Sequence, residues 1–192
     1  MLREKLSKYS IILASGSPRR QQFFKDLDIP FSIRLKEVEE IYPEDLMAEE
    51  ITDYLARLKS QQFTNIQENE VVITSDTIVW LDEKAIGKPK DYEDAVSMLQ
   101  SFSNGYHDVY TSICIKTKNS EKIVNDCTRV YFNELSNKEI HYYLKKYKPF
   151  DKAGSYGIQD WIGLIGIDKI EGSYFNVMGL PVHKLYKELM KL

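Results

Sequence analysis

A short apolar segment that turns through small residues into a helix start is the feature that most constrains how this chain can fold. Residues 9–14 predict a short buried strand. Pro18 is preorganised for a first helical turn, so a helix is expected from Pro18 to about Leu27, with Ser17 as its N-cap. Such a turn exposes backbone N–H groups at the positive end of the helix dipole, where phosphate commonly binds.

Two arginines in the first turn of this helix strengthen the prediction of an anion site. Arg19 and Arg20 stand where the dipole favours carboxylates, so they reduce stability unless an anion binds. An arginine can hold a phosphate through two parallel hydrogen bonds, and the hydroxyls of Ser15 and Ser17 add further candidate ligands. The alternative is a solvated arginine pair at an ordinary helix start. The segment matches neither a P-loop nor a dinucleotide-binding fingerprint.

Composition and charge argue against several classes of protein. The chain has 192 residues and a net charge of −3, which is unlike the basic balance of proteins that bind nucleic acid. Cys114 and Cys127 lack metal-ligand spacing and are expected to be buried thiols. No segment approaches the length of a membrane span, and none resembles a secretory signal. We therefore expect a cytoplasmic protein without a membrane partner.

A carboxylate inside the most hydrophobic run of the chain is the most informative acidic residue. Residues 71–81 are apolar except around Ser75, Asp76 and Thr77. A carboxylate in a buried strand is costly unless it is paired, hydrogen-bonded or bound to a metal ion, which makes Asp76 a candidate functional residue. The alternative is an aspartate at a strand break, satisfied by backbone donors. The acidic loop 37–45 is expected to be mostly solvated, with Glu40 as a second candidate carboxylate.

The remaining apolar patterns predict a mixture of strands and helices. Residues 81–86 predict a turn and a short returning strand. Further strands are predicted at 31–35, 106–116, 124–133, 162–170 and 174–177, and further helices at 46–66, 92–102, 136–147 and 181–192. Because these elements do not repeat as regular βα units, we expect an α/β fold with a mixed sheet and helices on its faces. Loops at the strand ends are then expected to converge on a cleft.

Lysines in three other segments complete a set of groups suited to a polyphosphate. Lys59 lies in a predicted helix, Lys88 lies between glycine and proline, and Lys152 begins a glycine-punctuated loop. Mg²⁺ prefers oxygen ligands and shares them with substrate phosphates, so Asp76 and Glu40 suit such an ion. No cysteine–histidine pair is evident, which favours direct attack by a water molecule that Asp76 orients or deprotonates.

Five segments, in order, resemble the signature blocks of the Maf family: residues 13–20, 75–79, 87–89, 151–159 and 172–181. The resemblance implies a nucleoside triphosphate pyrophosphatase, which cuts between the α and β phosphates with a divalent cation, Mg²⁺ or Mn²⁺. It implies a single domain over residues 1–192 with a fold like that of the inosine triphosphate pyrophosphatases. That fold has a central mixed sheet, flanking helices and a deep cleft between two lobes. Homodimers are common in the family.

Within the family, the tripeptide that ends at Gln159 resembles the branch acting on dTTP and UTP. An amide can both donate to and accept from the edge of a uracil or thymine ring. Ser75 stands where alanine is usual and could add a hydrogen bond to Asp76. The resemblance implies base-specificity positions at Arg19, Thr77 and Gln159, a general base at Asp76, and polar cleft positions at Glu40, Lys59, Lys88 and Lys152.

Two alternative functions remain open at this point. The first is the same reaction on 7-methyl-GTP or CTP, which differs only in the base that is recognised. The second is a nucleotide-binding regulator of cell division and septum formation, which would bind nucleotides without turning them over. A purely structural α/β domain would leave Asp76 and the loop from Lys152 to Gln159 unexplained.

Overall fold

A mixed sheet of seven strands organises the fold in a computed structural model that describes residues 1–192. The strands are β1 (Ser10–Leu13), β2 (Phe31–Ile33), β3 (Glu70–Leu81), β4 (Lys84–Ile86), β5 (Tyr106–Lys116), β6 (Glu121–Phe132) and β7 (Ile167–Glu171). Their order is β2-β1-β3-β5-β6-β7, with β4 paired to β3. Strand β1 runs parallel to β2 and β3, whereas β4 is antiparallel to β3 and β7 to β6. The predicted mixed sheet is confirmed.

Eight helices lie before, between and after these strands. They are α1 (Leu2–Lys5), α2 (Pro18–Asp26), α3 (Glu49–Gln61), α4 (Tyr92–Phe102), α5 (Asn137–Tyr147), α6 (Trp161–Gly166), α7 (Tyr174–Val177) and α8 (Val182–Leu189). Local capping signals locate two of the starts. Asp91 accepts a hydrogen bond from Asp94 N at α4, and Ser136 and Glu139 form a capping box at α5.

Two compact units can be distinguished along the chain. The first unit comprises Met1–Asp76, Thr111–Asp126 and Gly179–Leu192, and the second comprises Thr77–Tyr110 and Cys127–Met178. Strands β3, β5 and β6 contribute residues to both units. The single domain predicted over residues 1–192 stays a prediction.

Each unit has apolar packing of its own. In the first unit, Ile12 of β1 and Val72 of β3 are fully buried and pack in one cluster with Phe63. In the second unit, a larger cluster includes Phe102 of α4 and Tyr143 of α5, both fully buried. Burying the apolar sides of strands and helices in this way is the main source of stability of such a fold.

The segment from 162 to 177 differs from the prediction of two strands. The structure has α6 at its start, β7 in its middle and α7 at its end. Apolar runs this short do not distinguish a strand from a helical turn. Ser173 starts α7 because its side chain accepts a hydrogen bond from Asn176 N. In α6, a Cβ on Gly163 would lie 1.9 Å from Ile158 O, so glycine permits this close approach.

Three smaller predictions also need correction. Helix α3 is shorter than the predicted helix 46–66, and α1 was not predicted. Cys114 on β5 is buried as expected, but Cys127 on β6 is exposed, because alternate residues of a strand face opposite sides of the sheet. None of the helices is both long enough and apolar enough to cross a membrane.

Candidate functional site

The turn between β1 and α2 brings Ser15 against the helix start. Ser15 is buried, and its Oγ accepts hydrogen bonds from Ser17 N at 3.3 Å and from Arg20 Nη1 at 3.4 Å. Ser17 occupies the predicted N-cap position, but its side chain makes no cap hydrogen bond. The start of α2 is therefore not closed by its own N-cap side chain, which leaves it suited to an anionic ligand.

Arg20 and Arg19 have different surroundings although they are adjacent. Arg20 Nε donates to Gly179 O at 2.8 Å, and Nη1 donates to Ser75 O at 2.9 Å. Burial lowers the pKa of the Arg20 guanidinium, and the negative charge of Asp76 opposes that shift. Arg19 is partly exposed in the first turn of α2. Arg20 thus holds α2 against two other segments of the first unit.

Asp76 lies in the middle of the continuous strand β3, so the alternative of a strand break is wrong. The residue is 6% exposed. Lys59 Nζ, from the last turn of α3, lies 2.6 Å from Asp76 Oδ1 and 2.9 Å from Glu40 Oε1. One ammonium group therefore joins the two carboxylates for which a metal-binding role is predicted.

The protonation of Asp76 reflects two opposing effects. Burial raises the pKa of this carboxyl, while the ion pair with Lys59 and the charge of Arg20 act in the other direction. Burial has the larger effect, so the pKa is raised. A carboxylate with a raised pKa accepts a proton more readily than an exposed one, as a general base must.

Ser75 does not make the predicted hydrogen bond to Asp76. Its Oγ is buried and has no hydrogen-bond partner. Successive side chains of a strand point to opposite faces of the sheet, so neighbours on β3 are poorly placed to bond each other. The backbone carbonyl of Ser75 has a role instead, as an acceptor for Arg20.

Two loops of the second unit, which carry Lys88 and Lys152, are joined through their backbones. Gly154 N donates to Gly87 O at 3.0 Å. Gly154 has a φ of +68°, and a Cβ there would lie 3.1 Å from side-chain atoms of Phe102, so this position favours glycine. Lys88 is exposed, whereas Lys152 is partly buried with its Nζ 2.9 Å from an oxygen of Asp151.

The other two candidates of the second unit are Thr77 and Gln159. Thr77 follows Asp76 on β3 and is partly exposed, and Gln159 is exposed at the end of the loop that begins at Lys152. A Cβ added to Gly157 would lie 2.9 Å from Nε2 of the Gln159 amide, so the Gln159 side chain lies close to the backbone of its own turn. Because the amide is exposed, its donor and acceptor are accessible to a ligand.

Sequence reasoning missed the buried groups that support this loop. Tyr156 Oη lies 2.7 Å from His107 Nε2, and Tyr143 Oη contacts both Gly157 and Asp160. Burial lowers the pKa of His107 to about 3, so the ring is neutral near pH 7. Tyr143 falls at apolar helical spacing on α5, where a tyrosine is read as core, so the sequence carries no signal of this contact.

The carboxylates available to a metal ion are few. No group of three or more His, Cys, Asp or Glu side chains is close enough to hold a metal ion by itself. Asp76 and Glu40, which share the ammonium of Lys59, form a pair of oxygen donors around one positive charge. Mg²⁺ is commonly bound by one or two carboxylates together with water and substrate phosphates, so this donor set fits that ion.

Comparison with known proteins identifies the family. Residues 10–192 match the family described as Maf-like protein. The chain belongs to the Maf family. The predicted resemblance is therefore confirmed over nearly the whole length of the chain.

Curated relatives cover the same length. The dTTP/UTP pyrophosphatase of Flavobacterium psychrophilum is 61% identical over 191 residues, which span 99% of this chain and 98% of the relative. The dTTP/UTP pyrophosphatase of Bacteroides thetaiotaomicron is 49% identical over 189 residues, 97% of this chain and 98% of the relative. Among solved structures, a HAM1 protein from Coxiella burnetii has a TM-score of 0.52 at 12% identity, covering 96% of this chain and all of that one. This likeness confirms the predicted fold class.

Proposed function

We propose that this chain hydrolyses the α–β phosphoanhydride bond of dTTP and UTP to the nucleoside monophosphate and pyrophosphate. Full-length relatives with 61%, 58% and 49% identity are named dTTP/UTP pyrophosphatase. The observation that carries the proposal is the buried carboxylate of Asp76, held against Lys59 in the middle of a strand. A buried ionisable pair is costly to stability, and such groups are concentrated at functional sites.

The proposed reaction is direct hydrolysis without a covalent intermediate. Asp76 orients a water molecule and accepts its proton while the water oxygen attacks the α phosphorus. The bond from the α phosphorus to the bridging oxygen breaks, and pyrophosphate leaves with that oxygen and its electron pair. Lys59 holds Asp76 in place from 2.6 Å and keeps positive charge beside it.

A divalent cation is part of this proposal. Asp76 and Glu40 are the residues that would hold Mg²⁺ or Mn²⁺. When bound, such an ion neutralises negative charge on phosphate oxygens during bond cleavage. The side chain of Glu40 is 55% exposed, so it can change position at little cost in free energy when the ion binds.

Phosphate and base recognition are assigned to separate groups. Arg19, Ser15 and Ser17 belong to the start of α2, and the helix dipole there favours a phosphate. The exposed Lys88 and the partly buried Lys152 supply further positive charge for the triphosphate. Arg19, Thr77 and the amide of Gln159 are proposed to set the preference for uracil and thymine over other bases.

The test of the proposed function is pyrophosphate release across a panel of nucleotides. Wild type and Asp76→Asn are compared on dTTP, UTP, CTP, GTP, dATP and 7-methyl-GTP with Mg²⁺. We expect fast release from dTTP and UTP that is lost in the variant. A preference for CTP or 7-methyl-GTP supports the alternative base. Nucleotide binding without any release supports the alternative of a regulator.

Two further expectations concern the oligomeric state and the cellular location. We propose that the chain forms a homodimer and acts in the cytoplasm. Sedimentation at several concentrations tests the first, with a monomer at micromolar protein as the contradicting result. Fractionation of cells that express the chain tests the second.

A further inference from the structure

The turn that carries Gln159 is closed by a hydroxyl from outside it. Within the turn, Asp160 N donates to Gly157 O at 2.9 Å. Tyr143 Oη donates to Asp160 Oδ2 at 2.7 Å and accepts from Gly157 N at 3.1 Å. A single hydroxyl on α5 therefore bonds both ends of the turn from 157 to 160.

Gly157 allows two side chains of the turn to lie close to its backbone. A Cβ on Gly157 would lie 2.7 Å from Asp160 Oδ2 and 2.9 Å from Gln159 Nε2, so glycine lets both side chains lie over the backbone. Asp160 is the N-cap of α6, yet its carboxylate makes no cap hydrogen bond to that helix. Its carboxylate instead accepts the hydrogen bond from Tyr143.

Tyr143 is a fixed donor. The side chain is fully buried on α5. Burial and the bond to Asp160 both raise the pKa of its phenol, so the hydroxyl stays protonated at any physiological pH. The ring lies in the apolar core of the second unit with Leu144 and Ile158, which holds the hydroxyl in place.

We propose that Tyr143 is a positioning residue for base recognition, because its hydroxyl fixes the turn that orients the Gln159 amide. This inference rests on the proposed function, in which Gln159 reads the pyrimidine. Uracil presents a carbonyl acceptor beside an N–H donor, and cytosine presents an amino donor beside an acceptor. An amide matches one pattern or the other according to its rotation, so a fixed amide discriminates and a mobile one does not.

The decisive measurement is the ratio of kcat/KM for UTP to kcat/KM for CTP. Tyr143→Phe keeps the ring but removes both hydrogen bonds, and the ratio is expected to fall about fivefold, the scale of one neutral hydrogen bond. Tyr147→Phe is the matched control, because Tyr147 stacks on Tyr143 on the same helix but is exposed. The control is expected to keep the wild-type ratio.

Coupling to Gln159 separates positioning from a general structural role. Gln159→Ala is expected to lower the ratio as well, and the double variant is expected to show no further fall. A Tyr143→Phe enzyme with an unchanged ratio overturns the inference. So does an equal fall in the ratio whether or not Gln159 is present, since that effect does not pass through the amide.

A second pair of variants covers the case in which Tyr143→Phe does not fold. Asp160→Asn keeps an acceptor oxygen for the hydroxyl and is expected to retain the ratio, whereas Asp160→Ala is expected to lose it. Binding of UMP and CMP, measured by calorimetry, gives the same selectivity without turnover. A wild type that binds UMP selectively but releases no pyrophosphate contradicts the proposed function alone. The inference is then supported if Tyr143→Phe lowers the ratio of UMP to CMP affinity, and it is overturned if that ratio is unchanged.

Discussion

Lys59 Nζ lies 2.6 Å from Asp76 Oδ1, and both side chains of this ion pair are largely buried. Lys59 comes from a helix and Asp76 from a strand, 17 residues apart in the chain. The same ammonium contacts Glu40 at 2.9 Å. Lys59 thus opposes the effect of burial on the pKa of Asp76, and the same positive charge contacts the second carboxylate.

Asp76→Asn is expected to separate activity from stability. Loss of the proton acceptor should lower pyrophosphate release about 10³-fold. Burial raises the pKa of Asp76 above its ordinary value of 3.8. In the pH window between the pKa of the unfolded chain and that of the folded protein, the folded protein therefore holds a proton that the unfolded chain has lost. Stability therefore falls as pH rises through that window, and above it the ionised carboxylate is destabilising. The neutral amide avoids this, so the Tm near pH 7 should equal or exceed that of wild type.

Calorimetric scans and kinetics on the same preparations check this prediction. Asp82→Asn is the control, because Asp82 is an exposed turn residue with a φ of 49°, which asparagine tolerates. The control should change neither the rate of pyrophosphate release nor the Tm. A large fall in the Tm of Asp76→Asn contradicts the argument from burial.

Removing Lys59 is expected to move the acid limb of the pH profile. The positive charge of Lys59 lowers the pKa of Asp76 against the effect of burial. Lys59→Met removes that charge, so the pKa should rise further and the acid limb of kcat/KM should shift to higher pH. Lys59→Arg keeps the charge and should stay near the wild-type limb. Superimposable limbs for all three enzymes would show that Asp76 does not control the profile.

Arg20 and Arg19 are expected to respond differently to the same substitution. A lysine at position 20 cannot make the hydrogen bonds to Gly179 O and Ser75 O together. The free energy of unfolding of Arg20→Lys, measured in urea, should therefore fall by ~1–3 kcal/mol. Arg19→Lys should change stability by about 0.5 kcal/mol or less, as a partly exposed position usually does. Its KM for dTTP should rise instead. Equal loss of stability in both variants would contradict this division.

Glu40→Gln is expected to raise the Mg²⁺ concentration needed for half-maximal activity by at least about tenfold. The amide keeps the shape of the side chain but loses the charge that binds a divalent cation. Glu39→Gln is the matched control, because Glu39 is also exposed and only Glu40 contacts Lys59. A Mg²⁺ titration of pyrophosphate release measures both. An unchanged requirement in Glu40→Gln removes this residue from the metal site.

Local sequence determined the elements whose signals lie within a few residues. Pro18 after a small-residue turn located α2, and Asp91, Ser136 and Glu139 located two further helix starts, because capping involves neighbouring backbone groups. The cost of burying a charge marked Asp76 before any fold was known. Short apolar runs were ambiguous, which is why α6 and α7 were predicted as strands.

Tertiary structure alone decided which side chains act together. Arg20 bonds carbonyls 55 and 159 residues away, so its difference from Arg19 cannot be read from two adjacent arginines. Tyr143 reaches its turn from a helix 14 and 17 residues earlier. The sequence by itself determined the fold class, the family and the candidate chemical groups. The pairing of those groups was decided by the packing of segments distant in the chain, since hydrogen bonds and ion pairs depend on distance in space.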